Sequence, residues 1–127
     1  MKSLVILIAL IFVGMYLNAQ EDNCKQIYRK WDSEKEAIAL IEKTSFTFSD
    51  LAKPSDESWL SSAHYYSCDE EYGFLIVKGD KKTFIHQDVP IAVWQAFKNA
   101  KSIGGYYNFY IKNKYKLDKK EPEISPL

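Results

Sequence analysis

The chain has 127 residues, with 17 basic and 17 acidic side chains and an aromatic fraction of 15%. A net charge of zero excludes a protein that gathers polyanions by its overall field, and the length allows one domain of modest core without a second of similar size. Charge is uneven along the chain, however: residues 20–77 hold six basic and twelve acidic side chains, residues 78–127 ten and five. That division reads either as two solvated surfaces of opposite sign or as one basic face.

Met1-Lys2-Ser3 is a short basic start, residues 4–17 are uncharged, and Ala19 is a small residue suited to cleavage. The pattern predicts a secretory signal peptide over 1–19, an exported product (periplasmic or secreted) and no stable membrane insertion after cleavage. The rival reading is a retained anchor, against which the apolar run falls short of the roughly 18–20 residues a spanning helix needs. Cys24 and Cys68 are the only cysteines. In an oxidising compartment they are expected to pair, and chain entropy gives such a loop roughly 4 kcal/mol; the other reading is two buried free thiols.

Ile27, Tyr28 and Trp31 fall at helical spacing within residues 23–31. Next, Ser33 and Glu36 form a capping box that opens a second helix, whose apolar stripe is Ile38, Leu40 and Ile41. Residues 49–58, rich in Ser, Asp and Pro, read as a connector. Residues 61–67, 72–78 and 82–86 are short, rich in β-formers and separated by turn-like stretches, as in a three-stranded meander. Residues 74–77 (FLIV) are apolar throughout, so this strand is expected to be central with both faces covered. Pro90 suits the first turn of a helix whose apolar face is Val93, Trp94, Phe97 and Ala100. Another helix is expected after Ser102, with Tyr107, Ile111 and Tyr110 inward. The tail 118–127 carries two prolines and no packing pattern, and is expected to be disordered.

Asp88-Val89-Pro90, Val93, Trp94, Phe97, Ala100, Ser102, Gly104, Tyr106-Tyr107-Asn108, Ile111-Lys112 and Tyr115 resemble, without a gap, the pattern of the KTSC domain, a module named for the C-terminus of some lysyl-tRNA synthetases. The resemblance runs over roughly residues 58–115. Two departures stand out: the family's Tyr-x-Tyr falls on Phe84-Ile85-His86, and its usual arginine after the isoleucine is Lys112, a point charge without the bidentate fork. The resemblance implies a suggested RNA-binding role and brings no catalytic residues. The fold class expected is α+β: a three-stranded antiparallel meander covered by two C-terminal helices, with one or two additional N-terminal helices. The chain divides into a signal peptide (1–19), a helical extension (20–57), a KTSC-like domain (58–117) and the tail.

Around Ser102 two readings stay open. As a helix cap, Ser102 would turn the amides of Gly104 and Gly105 outward beside Lys101, and these with Lys112, Lys114 and Tyr115 make a candidate face for an anion or a partner. Alternatively, glycine is there because helices or sheet approach closely. Tyrosines among lysines also suit single-stranded nucleic acid, although an exported protein rarely meets RNA. For an enzyme the candidates are His64, His86, Asp88 and Ser102, with His86 and Ser102 the working pair. No cofactor or metal motif is read; His64 and Cys68, four apart, are two ligands short of a zinc site. The expectation is a non-catalytic binding module for an envelope protein or an anionic polymer, with a nucleic-acid binder and a small enzyme as alternatives.

Overall fold

Ser33 starts helix α1 (Glu34–Lys43) as its spacing to Glu36 requires: Ser33 Oγ accepts from the Glu36 amide at 3.1 Å. The return bond reaches one residue further than a capping box, from the Asp32 amide to Glu36 Oε2 at 3.0 Å, while Glu36 Oε1 pairs with Arg29 at 2.8 Å. Ala37 and Ile41, four apart, are the fully buried residues of this helix. This computed structural model describes residues 24–27, 29–55 and 58–121; the expected signal peptide lies outside the described residues. Residues 24–27 turn helically, but the chain is extended by Trp31, so the helical spacing of 23–31 does not carry through.

Four strands follow, not three: β1 (Phe48–Ala52), β2 (Leu60–Ser67), β3 (Tyr72–Gly79) and β4 (Thr83–Pro90), antiparallel in the order β1-β2-β3-β4. The extra strand comes from the stretch read as a connector. Its alternation is real but chemically inverted, because the inward position holds Asp50 and the outward one Leu51, 47% exposed. Asp50 is satisfied from the far layer: its Oδ2 accepts from Trp94 Nε1 and from Lys98 Nζ, each at 2.9 Å. The Lys98 hydrogen bond leads the causes that hold its carboxyl below the ordinary value.

The apolar strand β3 is buried on both faces, as expected. Leu75 and Val77 join Tyr65, Val89, Trp94, Phe97, Tyr107 and Ile111 on one side; Phe74 and Ile76 join Ile27, Trp31, Ala37, Ile41 and Ile85 on the other. The sheet is thus the middle layer of an α+β fold. Helices α2 (Ile91–Lys98) and α3 (Ile103–Tyr106) cover the first face, and α1 covers the second.

Strand β4 carries one extra residue against β3: Gly73 pairs with Val89, whereas Leu75 pairs with His86. Asp88 sits in this bulge with φ of 56°, a conformation that aspartate tolerates better than most residues. In a regular strand residues three apart face opposite ways; the bulge turns both His86 and Val89 toward α2 and α3. Tyr65 crosses above Gly73 to donate its hydroxyl to Val89 O at 2.8 Å. A Cβ on Gly73 would strike the Tyr66 carbonyl and lie 2.8 Å from the Tyr65 ring.

Pro90 closes β4 and caps α2 from outside, one residue before the first turn it was expected to occupy. After α3 the chain widens into a π-helical turn (Tyr107–Ile111), with the Lys112 amide bonded to Tyr107 O at 2.9 Å. This corrects the expected inward set: Tyr107 and Ile111 are buried, but the wider turn carries Tyr110 outward to 50% exposure. The expected disordered tail is corrected in its first residues. The Trp31 amide donates to Asp118 O and the Lys120 amide to Trp31 O, both at 2.8 Å, and the Asp118 amide donates to Gln87 Oε1 at 3.0 Å; residues 122–127 lie outside the described residues. Cys24 and Cys68 are bonded, with Cα atoms 5.8 Å apart, which ties the start of the described chain to the β2–β3 turn.

Candidate functional site

Ser102 caps α3 through a bond from the Gly105 amide to its Oγ at 3.1 Å. At Gly104 the geometry shows a close approach. A Cβ there would lie 2.7 Å from Nε1 and 3.2 Å from Cδ1 of Trp59, so the close approach is real, and its partner is a side chain from the loop before β2 rather than a helix or the sheet. A Cβ on Gly105 would press on Ser102 Oγ at 2.8 Å, hindering the cap itself. Between these two segments runs a cleft of about 610 Å³. Lys101, Ser102, Gly104, Gly105 and Asn108 form one wall, and Lys53, Ser55, Ser58 and Trp59 the other. The described lining offers ammonium, hydroxyl, amide and indole groups, and no carboxylate or imidazole.

His86 lies in a second cleft, of about 360 Å³, with Glu34, Phe84, Tyr107, Lys112 and Lys116. Its Nδ1 is 2.7 Å from Tyr115 O and its Nε2 is 2.8 Å from Tyr107 Oη. A carbonyl oxygen only accepts, so Nδ1 carries the proton, and in the neutral ring Nε2 accepts from the tyrosine hydroxyl. Burial pushes the imidazole below its ordinary value, against the raising pull of the Tyr115 carbonyl and of Glu34. Burial, helped by Glu34, pushes the Tyr107 hydroxyl up to about 12. Burial thus keeps both groups neutral, and the hydrogen bond between them pins the π-turn to the sheet.

The candidate residues accordingly divide. Lys101, Ser102, Gly104 and Gly105 meet in the first cleft; Lys112 lines the second; Lys114 lies with its Nζ 5.9 Å from the Tyr115 ring centroid, and the Tyr115 carbonyl is spent on His86. Of the motif residues, Phe84, Val89, Tyr107 and Ile111 pack, Ala100 and Asn108 line the first cleft, and Pro90 joins β4 to α2. His86 and Ser102 line different clefts, the first as a doubly bonded ring and the second as a helix cap. Asp88 is exposed in the bulge, and His64 faces the other side of the sheet, stacked on Tyr66 at 4.1 Å with its Nδ1 2.9 Å from the Tyr66 hydroxyl.

The far wall, residues 53–55 with Ser58 and Trp59, carries no sequence signal beyond its turn-forming residues, because the sheet order is what brings it beside Ser102. Residues 73–115 match the family model of the KTSC domain. The match begins at β3, later than the expected residue 58, so it includes one wall of the first cleft and not the other. No curated protein matches the chain, and no solved structure does.

Proposed function

We propose that this chain, with a KTSC domain segment at residues 73–115, is an exported, non-catalytic binding module whose first cleft takes an anionic group of a polymer or solute. The observation that carries the reading is the cleft of about 610 Å³ with Lys53 on one wall and Lys101 on the other, among serine hydroxyls, the Asn108 amide and the Trp59 indole. Both lysines are exposed where they line the cleft, so their joint pull on an anion is long-ranged and weakens as salt rises. General acid–base chemistry needs a titrating pair within reach of one substrate, and the described lining supplies none. Export is supported by the sequence of residues 1–19 and by the Cys24–Cys68 bond, which persists best in an oxidising compartment.

Trp59 makes the cleft its own reporter. Tryptophan emission is followed while the protein is titrated with inorganic phosphate, an acidic glycan and single-stranded RNA at low and high salt. Saturable binding that weakens as salt rises and drops on Lys53→Ala and on Lys101→Ala is the expected result. Binding indifferent to both substitutions refutes the cleft as the site.

A further inference from the structure

Apart from the cleft, the outer face of the π-turn gathers exposed aromatic rings. Phe109 is 82% exposed and Tyr110 50%, and both stand with Tyr106 in one cluster: ring centroids are 4.7 Å apart for Tyr106 and Tyr110, and 5.1 Å for Phe109 and Tyr110. Around them residues 89–117 contain five lysines and not one acidic residue. Lys98 is neutralised by Asp50, but no ion pair among the described residues involves Lys101, Lys112, Lys114 or Lys116, all exposed. The chain thus holds out Phe109 and Tyr110, with the partly buried Tyr106 behind them, near lysines that no ion pair among the described residues neutralises.

We infer that this face docks on an anionic lipid surface, with Phe109 reaching below the headgroups, Tyr106 and Tyr110 at headgroup level, and Lys112 and Lys114 against the lipid phosphates. Phenylalanine has no polar atom and gains from an apolar phase, whereas tyrosine prefers the boundary. Lysines beside a membrane are drawn by the negative surface potential, each contributing a similar increment. Charge complementarity alone would also admit RNA. A stacking platform sets its rings parallel to successive bases, whereas Phe109 stands edge-on to Tyr110 at 61° and Tyr106 and Tyr110 tilt by 39°, so the three rings form no common platform. Under either reading of residues 4–17, cleaved signal or anchor, the chain meets a membrane.

Vesicle co-sedimentation tests the assignment, with phosphatidylcholine alone against one part phosphatidylglycerol to two parts phosphatidylcholine, at low and high salt. The full chain is used in every arm, so partitioning carried by residues 4–17 is common to all. The expected result is about a ten-fold preference for the anionic vesicles at low salt, reduced by salt. Phe109→Ser with Tyr110→Ser should weaken anionic-vesicle binding about ten-fold, and Lys112→Glu with Lys114→Glu should abolish the preference. These side chains are exposed, so unchanged melting temperatures identify the loss as one of docking. Equal binding to both vesicles, or wild-type binding by the aromatic double variant, overturns the inference. So does transfer of the Phe109 dependence to single-stranded RNA or to self-association in sedimentation velocity.

Discussion

Replacing Gly104 by alanine adds one carbon and tests how the first cleft is built. That carbon would sit 2.7 Å from Trp59 Nε1, so about 0.7 Å of movement is needed to reach an ordinary 3.4 Å contact. The indole has little room to give it. Its opposite edge, Cε3 and Cζ3, lies 3.1 Å from where a Cβ on Gly79 would stand, and the ring abuts Phe84 and Tyr107 at centroid distances of 6.2 and 5.5 Å. Overpacking of this kind costs about 1–3 kcal/mol. Alanine returns about 0.5–1 kcal/mol through its lower entropy cost in a helix, leaving a net loss of about 1–2 kcal/mol. For a domain near 100 residues that lowers Tm by about 5–15 °C, readable by thermal unfolding followed by circular dichroism. The cause is isolated by repeating the substitution in a Trp59→Phe background, where the pyrrole edge is gone and the cost should shrink. An unchanged Tm, or the same loss in both backgrounds, refutes the wedge.

Asp50→Ala should lower stability by about 1–3 kcal/mol by leaving the Trp94 indole N–H without its acceptor, and Asp50→Asn, which keeps a carbonyl, should cost less; equal losses in urea unfolding would speak against the bond. Cys24→Ser with Cys68→Ser should cost about 3–4 kcal/mol by freeing a 44-residue separation, and alkylation of the unfolded, unreduced wild type should label neither cysteine. His86 is held below its ordinary 6.5 in the folded state, so the unfolded chain takes up its proton first. Its contribution is present above pH 6.5 and is lost as pH falls from there through the folded value. Urea midpoints should therefore fall less steeply with acidification in His86→Gln than in wild type, and identical slopes would exclude the histidine as the source.

What the sequence made legible is what local chemistry decides. Ser33 and Ser102 cap helices because a serine oxygen reaches the amides ahead of it, and residues 74–77 are buried on both faces because nothing in them can face water. The misses share another cause, since each depends on a partner far along the chain. Asp50 disguises β1, and only Trp94 and Lys98, more than forty residues later, explain an inward carboxylate. Residues 118–120 look structureless because their order comes from backbone bonds to Trp31, which any side chains would permit. Tyr110 was placed inward on a regular helical period that the Tyr107–Lys112 bond breaks. Half of the cleft was readable, Lys101 to Gly105, while Lys53, Ser58 and Trp59 reach it only through the pairing of β1 with β2.

The two-faced burial of β3 bears on modularity. The segment matched to the family begins at Gly73, which makes β3 its first strand. Excised at that boundary, the piece would lose β2 and α1 together, so an interior strand would become an edge with open backbone groups, and Phe74 and Ile76 would face water. The segment that matches the family model is therefore shorter than the layered unit that buries β3. Among the described residues before Gly73, β2 pairs with β3 and α1 covers its second face, so a recombinant fragment cut at residues 73–115 should aggregate through the surface they protect.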